Sequence, residues 1–362
     1  SPDGDLIDCI RREDQIAFRH PLLKNHLIQE APTDMPYTVN KEENGWQVWH
    51  KNGTKCPEGS IPVRRLPLHQ NQTVQTISSN AADRVINGHE YAIGRPNNSQ
   101  PIYGIQVTMN VWQPKIERFN EFSLGQIWLV SGSYGDSSIN SIEAGWQVYP
   151  KIYFDYQPRL FIYWTADAYN NTGCYNLRCG GFIQTSRTIV VEGAISPTSV
   201  VGGTQVDLTF KIWKDQKVGS WWLAVGLGHG VLEPVGYWPE FLFSLQKDYA
   251  HKVEWGGEIT NMRTFGRHTT TEMGSGYFPD SGFGKAAYMR NIEVSLSGEG
   301  FQSLQDLAVG GSNPTYYRAK KSNNSEFGTH FFYGGPGYAT AAHLTWDSTL
   351  LYLCFCLLFL VV

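Results

Sequence analysis

The sequence predicts an all-β fold, either a sandwich or a closed barrel, with a smaller domain in front of it. Apolar and polar residues alternate through many short segments, and turn residues separate these segments. Aromatic residues, which favour strands, make up 14% of the chain. The 362 residues exceed the roughly 200–250 that one large sandwich or barrel uses, so a second domain is expected.

The alternating segments follow one another at regular spacing in the second and larger part of the chain. They are residues 103–112, 122–130, 146–154, 160–164, 206–213, 221–228 and 288–296. Turn sequences such as Gly132-Ser-Tyr-Gly135 lie between them, and only residues 239–245 suggest a helical turn. Many short strands with turns between them are typical of a sandwich or barrel.

Composition divides the chain into four parts. Residues 1–70 form the small first domain, in which 7–18 has a helix-like mix of charges. Residues 71–88 are rich in Asn, Gln, Ser and Thr, which predicts a flexible linker with a processing site. Residues 89–338 form the strand-rich domain, and 339–362 form a hydrophobic tail.

The tail ends in an apolar run, 349–362, that is shorter than the ~20 residues of a membrane span. Small residues, a polar spacer and this apolar run resemble the signal for attachment of a lipid anchor. The alternative is an unstructured C-terminus, so we expect a membrane contact only if the tail is an anchor signal.

Cysteines and glycosylation sequons favour a secreted protein. Cys9 and Cys56 lie in the first domain, and Cys174 and Cys179 bracket a short loop, which suits one disulfide per domain, with free buried thiols as the alternative. Sequons for N-glycosylation start at Asn52, Asn71, Asn97, Asn170 and Asn323.

The 29 basic and 33 acidic residues leave a small net charge and no basic run, which argues against a nucleic-acid partner.

Two short segments mirror each other, Glu143-Ala-Gly-Trp146 and Trp255-Gly-Gly-Glu258. A carboxyl group beside a large apolar ring is poorly solvated, so its pKa should rise. Two such groups in one cleft could divide the roles of acid and base, and we predict Glu143 and Glu258 as the catalytic pair. Ordinary exposed glutamates at strand ends are the alternative, and Glu254 competes with Glu258.

The strand that carries Glu143 is expected to begin near Gly145, which would put Glu143 at a sheet edge. Residues three apart in a regular strand face opposite sides, so Trp255 and Glu258 share a face only if the intervening glycines distort the strand. The residues predicted to line the substrate cleft are Trp146, Trp255, Gly256 and Gly257.

Other catalytic patterns are weaker. No His-Glu-x-x-His occurs and the histidines lack the spacing of metal ligands, so we expect neither a metal nor another cofactor. The Gly274-Ser-Gly sequence is not a complete nucleophile elbow, and we expect it to form a turn.

Several motifs together resemble the plant neprosin family, secreted glutamic peptidases made with an N-terminal activation peptide. The matching stretches are Ile142-Glu-Ala-Gly-Trp-Gln-Val148, Gly173-Cys-Tyr-Asn-Leu-Arg-Cys179, Trp255-Gly-Gly-Glu258, His268 to Gly276, Gly282-Phe-Gly-Lys-Ala286, Tyr333-Gly-Gly-Pro-Gly337 and, in the activation peptide, Arg19-His20-Pro21-Leu22-Leu23. The hydrophobic tail is not the usual ending of the family.

The resemblance implies an antiparallel two-sheet β-sandwich with two catalytic glutamates across a cleft, which map onto Glu143 and Glu258. It implies activity in acid, cleavage next to proline in polypeptide substrates, and inhibition by the protein's own prosegment until the linker is cut. It matches Cys9 with Cys56 and Cys174 with Cys179 to family disulfides. The implied location is the cell wall, apoplast or vacuole, or the cell surface if a lipid anchor replaces the tail.

Two other functions stay open at this stage. Paired carboxylates with aromatic platforms also suit a glycan-binding or glycan-cleaving sandwich. A folded but inactive secreted family member is the second alternative. The residues alone do not decide which glutamate is the base and which is the acid.

Overall fold

The computed structural model of the protein describes residues 1–32, 45–66, 88–133, 135–228, 230–322 and 325–338. Two antiparallel sheets of nine and seven strands pack against each other, and a separate two-stranded sheet lies in the N-terminal part. The predicted all-β, two-sheet sandwich is therefore confirmed.

The elements of the fold are short strands with few helical turns. The strands are β1 (Ile7–Arg11), β2 (Ser60–Arg64), β3 (His89–Pro96), β4 (Gly104–Asn110), β5 (Ser123–Ser131), β6 (Asn140–Val148), β7 (Arg159–Thr165), β8 (Cys174–Tyr175), β9 (Ile183–Gln184), β10 (Asp207–Lys214), β11 (Trp221–Leu227), β12 (Glu233–Trp238), β13 (Lys252–Thr260), β14 (Ala287–Ser295), β15 (Gln302–Ser303), β16 (Leu307–Gly311), β17 (Arg318–Lys321) and β18 (Phe331–Gly334). The α-helix is α1 (Pro150–Tyr153), and 3₁₀ turns cover Arg12–Asp14, Ile16–Arg19, Pro21–Leu23, Glu240–Leu242, Pro279–Ser281 and Ser325–Phe327.

The seven-stranded sheet has the strand order β16-β3-β13-β5-β6-β7-β8. The nine-stranded sheet has the order β17-β18-β14-β4-β10-β11-β12-β9, with β15 paired to β14. Neighbouring strands pair antiparallel throughout both sheets, as the two ladders of β5 show.

The main core lies between the two sheets, where alternate residues of each strand meet. Ile127 of β5 and Ala144 and Trp146 of β6 lie in this core together with Val107 and Phe210 from the opposite sheet. The Trp146 indole donates a hydrogen bond to the backbone oxygen of Asn110 across the core, at 3.0 Å. The remaining residues of β5 and β6 therefore point to the outer face of the seven-stranded sheet.

One predicted strand is misplaced along the chain. The strand around Trp146 runs from Asn140 to Val148, and not over residues 146–154. Pro150 starts helix α1 because it lacks the N–H that a central strand requires, and Phe154 ends the helix in a left-handed conformation with φ 65°. The helix-like stretch 7–18 also differs from expectation, since it forms β1 and two 3₁₀ turns.

The N-terminal part packs on the edge of the sandwich that β9 and β12 form. Ala17 and Leu23 join a small core with Ile183, Trp222 and Tyr237. The backbone of the same part also bonds to the loop between β9 and β10, for example Cys56 N–H to the Arg187 oxygen at 2.8 Å.

A buried ion-pair network fixes this part to the larger domain. Asp5 accepts hydrogen bonds from Arg64 at 2.8 Å and from Arg159 of β7 at 2.6 Å, and Arg159 also pairs with Asp155 at 2.5 Å. Burial raises the pKa of Asp5, but the guanidinium groups of Arg159 and Arg64 outweigh it and hold this pKa below its ordinary value.

The structure contains the two expected disulfides, Cys9–Cys56 and Cys174–Cys179. The sequon residues Asn52, Asn97 and Asn170 are exposed, while Asn71 and Asn323 lie outside the described residues. So do residues 71–87 of the linker and the whole tail, 339–362, and the four-part division of the chain stays a prediction. Within the described ranges, no helix has both the length and the apolar character to cross a bilayer.

We expect Asp5→Asn to lower the free energy of unfolding by about 1.5–3 kcal/mol at pH 7, because the hydrogen bonds of a charged group are lost. Since the pKa of Asp5 is lowered in the folded protein, its contribution is present above about pH 3.9 and is lost as the pH falls through the lower folded value. Urea denaturation at pH 7 and at low pH measures the free energy of unfolding of both proteins. The values for the wild type and for Asp5→Asn should become equal in acid.

Asp14→Asn is the matched control, since Asp14 pairs with Arg11 at 2.7 Å on the exposed surface of the same N-terminal part. Because water and salt screen an exposed ion pair, its loss should change the stability much less than the loss of the Asp5 network. Equal losses in the two variants at pH 7 would contradict the importance of the Asp5 network.

Candidate active site

The two predicted glutamates lie on the same face of one sheet. Glu143 is in the middle of β6, and Glu258 is in β13, with β5 between these strands. Both side chains occupy the outer face of the seven-stranded sheet, because their neighbours along each strand, Ala144 and Ile259, point into the core. Each residue is only 6% exposed. The sequence predicts Glu143 at a sheet edge, and this prediction is wrong, because β6 has a neighbouring strand on each side.

Gln126 of β5 joins the two carboxylates. Its side-chain Nε2 donates to Glu143 Oε2 at 3.5 Å and to Glu258 Oε2 at 3.4 Å. These bonds are long, and a single amide nitrogen faces one oxygen of each carboxylate. The two acidic groups therefore converge on one point. No sequence motif singles out Gln126.

Glycines on both sides of Gln126 make this convergence possible. In the ladders, Gln126 is opposite Gly145 of β6 and Gly256 of β13. A Cβ at Gly145 would come within 2.1 Å of the Gly125 oxygen, and a Cβ at Gly256 within 2.3 Å of the Ala92 oxygen. Gly256 also has φ +146°, a conformation that side chains other than glycine rarely adopt.

Glu143 is held by two neutral hydroxyl groups. Ser141 Oγ donates to Glu143 Oε1 at 2.8 Å, and the Tyr169 hydroxyl donates to the same oxygen at 2.9 Å. Tyr169 lies in the loop after β7 with φ 65°. Asp167 fixes this loop by accepting bonds from Thr172, and although burial raises the pKa of Asp167, these bonds lower it overall.

Glu258 has a different type of partner. Its Oε1 forms a hydrogen bond with Nδ1 of His89, the first residue of β3. The imidazole also packs edge-on against Phe122, with ring centroids 5.7 Å apart, and lies over Tyr91 at 6.4 Å. Neither His89 nor Tyr169 was among the residues predicted from sequence, since each reaches its glutamate only through tertiary folding.

Glu254, the competing carboxylate, lies on the same outer face two residues before Gly256. Burial raises its pKa, and Arg95, 3.7 Å away, opposes this only partly. In the ladder Glu254 is opposite Trp128, which in turn is opposite Glu143. It is therefore a neighbour of the pair, but the amide of Gln126 contacts Glu258 and not Glu254.

Trp146 and Trp255, which were predicted to line the substrate cleft, do not lie beside the carboxylates. Trp146 and Trp255 are fully buried between the sheets, on the opposite face from the carboxylates. The strands keep a regular register through Gly256 and Gly257, so residues three apart face opposite sides. A Cβ at Gly257 would likewise point into the core, towards Tyr333 and Met273. The backbone of both glycines belongs to ladders on both sides of β13.

Other aromatic residues surround the carboxylates instead. They form a second cluster on the outer face, and its buried members are Phe122, Leu124, Trp128, Ile139, Phe161, Tyr163 and Tyr169. Alternation along β5 and β7 could have identified these positions once the core face was known. Among the described residues, no group of three or more His, Cys, Asp and Glu side chains is arranged to hold a metal ion.

The family profile named Neprosin matches residues 119–336, and the profile named Neprosin activation peptide matches residues 1–95. The chain belongs to the neprosin family. The neprosin match covers both glutamates, Gln126 and Tyr169, while the activation-peptide match extends almost to the end of β3 and includes His89.

Solved structures with a similar arrangement are only distantly related to this neprosin-family chain. Scytalido-glutamic peptidase with a peptide based transition state analog is 11% identical, covers 69% of this chain and 98% of its own, and has a TM-score of 0.37. SCP-B, described as a member of the Eqolisin family of peptidases in a complex with the tripeptide Ala-Ile-His, is 13% identical with the same coverage and a TM-score of 0.36. A native glycosidic hydrolase is 9% identical over 48% of this chain and 78% of its own, with a TM-score of 0.21. The assignment rests on the family match, since these scores are too low to add to it.

We expect Gly256→Ala to lower the free energy of unfolding by about 2–4 kcal/mol, because the added Cβ meets the backbone of β3 at a strained φ. Urea denaturation measures the change. Gly310→Ala is the control, since Gly310 lies in β16 with no atom within 4 Å of an added Cβ. If both variants are equally stable, close packing at Gly256 does not hold the site together.

Proposed function

We propose that this protein is an acid-active glutamic endopeptidase, made as a zymogen, in which Glu143 and Glu258 activate water. The observation that carries the proposal is the contact of both carboxylates with the one amide of Gln126. Membership of the neprosin family and the activation-peptide match support a peptidase with a polypeptide substrate and an inhibitory prosegment.

The chemistry requires the pair to hold a single proton. Two carboxylates that face one another resist ionising together, because the second charge costs Coulomb energy. The ionised carboxylate takes a proton from water, and the water oxygen attacks the scissile carbonyl. The protonated carboxyl polarises that carbonyl, and proton transfer to the amide nitrogen releases the amine. The proposed mechanism requires one of the two groups to be protonated, and for this reason we propose that the enzyme is active at low pH.

Cleavage next to proline belongs to the same proposal. Its support is the family resemblance together with the aromatic outer face, in which Trp128 and Tyr163 lie beside Glu143 in the strand register. Aromatic-lined grooves suit proline, because its ring is apolar and its backbone is already restricted. Secretion, supported by the disulfides and the exposed sequons, also remains part of the proposal.

We expect Glu143→Gln and Glu258→Gln each to reduce kcat/KM for a peptide substrate at about pH 4 by at least 10²-fold, the usual contribution of a general acid or base. Each variant should keep the unfolding midpoint of the wild type within a few degrees. Glu254→Gln is the matched control on the same face and should keep most of the activity. Full activity in either of the first two variants would remove that residue from the site.

A pair of peptides that differ only by proline or alanine tests the specificity. We expect the proline peptide to be cleaved beside proline with at least roughly 10-fold higher kcat/KM, as expected for a side chain that fills a pocket. Mass spectrometry of the products identifies the bond. Cleavage of a polysaccharide without peptide cleavage would favour the glycan alternative, and no activity in the processed protein would favour an inactive family member.

A further inference from the structure

The amide of Gln126 faces both candidate glutamates and is more deeply buried than either. Gln126 is 1% exposed, whereas Glu143 and Glu258 are each 6% exposed. Its Nε2 is 3.5 Å from Glu143 Oε2 and 3.4 Å from Glu258 Oε2. An ionised carboxylate only accepts hydrogen bonds, so the NH₂ end of the amide is the end that can serve both groups. This end has one hydrogen for each carboxylate.

The other end of the same amide forms no hydrogen bond. Gln126 Oε1 is buried and has no partner among the described residues. A buried acceptor without a partner lowers the stability of the folded protein, and the two bonds of Nε2 are at the upper limit of hydrogen-bond length. The side chain therefore adds little to the free energy of folding, and its contact with the carboxylates is the interaction through which it can act.

We propose that Gln126 is a positioning residue, which keeps the two carboxylates apart by about the width of one water molecule. This inference rests on the proposed peptidase function. The distances from Nε2 limit the separation of the two Oε2 atoms to about 7 Å. A water that bonds to both oxygens at roughly 2.8 Å spans up to about 5.6 Å. The long bonds to the amide also leave both oxygens able to bind that water.

Without the amide, the two acids would bond to each other. A hydrogen bond from a protonated carboxyl group to an ionised one is short, about 2.5–2.7 Å, and strong. It would occupy the oxygens that have to hold the water, whichever glutamate carries the proton. Gln126 opposes this contact, because its NH₂ group competes for the same two oxygens. A lysine or arginine would also compete for them, but its positive charge would oppose protonation of the pair.

The backbone fixes the point from which the amide reaches the carboxylates. Gln126 is in the middle of β5, and its partners in the two ladders are Gly145 of β6 and Gly256 of β13. A Cβ on Gly145 would be 2.8 Å from the Cβ of Gln126, so a larger residue there would displace the side chain. Leu124 and Trp128, the next residues of β5 on the same face, are buried beside it.

Gln126→Met tests the inference, because methionine has a similar volume and no hydrogen-bond donor. We expect kcat for a peptide substrate to fall roughly 10²-fold, the effect of about 1 Å of misplacement at a reacting centre. KM should stay within about 2-fold, because the contacts that bind substrate are unchanged. The unfolding midpoint should stay the same or rise, because the unpaired oxygen is removed. Steady-state kinetics and thermal unfolding of the processed enzyme measure these quantities.

Gln147→Met is the matched control. Gln147 is fully buried on β6, on the same face as Glu143, and its amide also has one unpaired atom, Nε2. Its Oε1 accepts a hydrogen bond from the Tyr153 hydroxyl at 3.1 Å. Among the described residues its amide bonds to neither candidate glutamate. The control variant should therefore keep both kcat and KM.

Wild-type kcat in Gln126→Met would overturn the inference and leave the peptidase proposal standing. A loss of kcat that follows a lowered unfolding midpoint would also overturn it, since a purely structural residue gives that result. If Gln126→Met does not fold, Gln126→Asn is the second variant, because its amide is one methylene shorter. It should lose kcat and keep KM, and full activity would overturn the inference. Absence of peptidase activity in the processed wild type would instead refute the proposed function itself.

Discussion

The register of three neighbouring strands, β13, β5 and β6, is the constraint on which the site depends. Each strand is central in its sheet, so its backbone groups are satisfied on both sides and it cannot slip. The register puts Gly256, Gln126 and Gly145 in one row. Gly256 and Gly145 have no side chains. The carboxylates of Glu258 and Glu143, each two residues from the glycine of its strand, therefore approach the side chain of Gln126. A slip of one residue would turn both glutamates into the core.

The same sheet connects the site with the N-terminal part. In the ladders, the row of Glu258 continues through Leu124 and Gln147 to Arg159. Arg159 is the residue that pairs with Asp5. The Asp5 ion-pair network and the two candidate glutamates therefore lie on one face. Arg159 is on β7, which is next to the strand of Glu143 and is separated from the strand of Glu258 by β5 and β6. Low pH weakens the Asp5 pairing, because this carboxylate is protonated as the pH falls through its lowered pKa.

The two candidate glutamates are held by different side chains. Two glutamates with the same burial differ because one faces hydroxyl groups and the other an imidazole. Tyr169 and His89 come from a loop and from the first strand of the larger domain, so the site is assembled from distant parts of the chain.

Much of the fold and part of the site could be predicted from sequence, because period-two alternation and local glycine–acid motifs are local properties. They gave the all-β class, most of the strands and the two candidate glutamates. These local properties do not determine where a strand begins or which face a side chain occupies, because both depend on pairing with a neighbouring strand. The strand of Glu143 was placed six residues too late, since only pairing with β5 and β7 defines its start. Trp146 and Trp255 are close to the glutamates along the chain, which predicts that they lie beside them, but their side chains occupy the opposite face of the sheet.

The sequence by itself determined that the chain is strand-rich, which cysteines share a predicted domain, and which acidic residues lie close to glycines. Only the tertiary structure decided that Gln126 joins the two carboxylates, that Tyr169 bonds to Glu143 and that His89 bonds to Glu258. The residues in contact are far apart in sequence, from 17 residues for Gln126 and Glu143 to 169 residues for His89 and Glu258. Their physical cause is strand register, which depends on pairing across the sheet and not on any short segment.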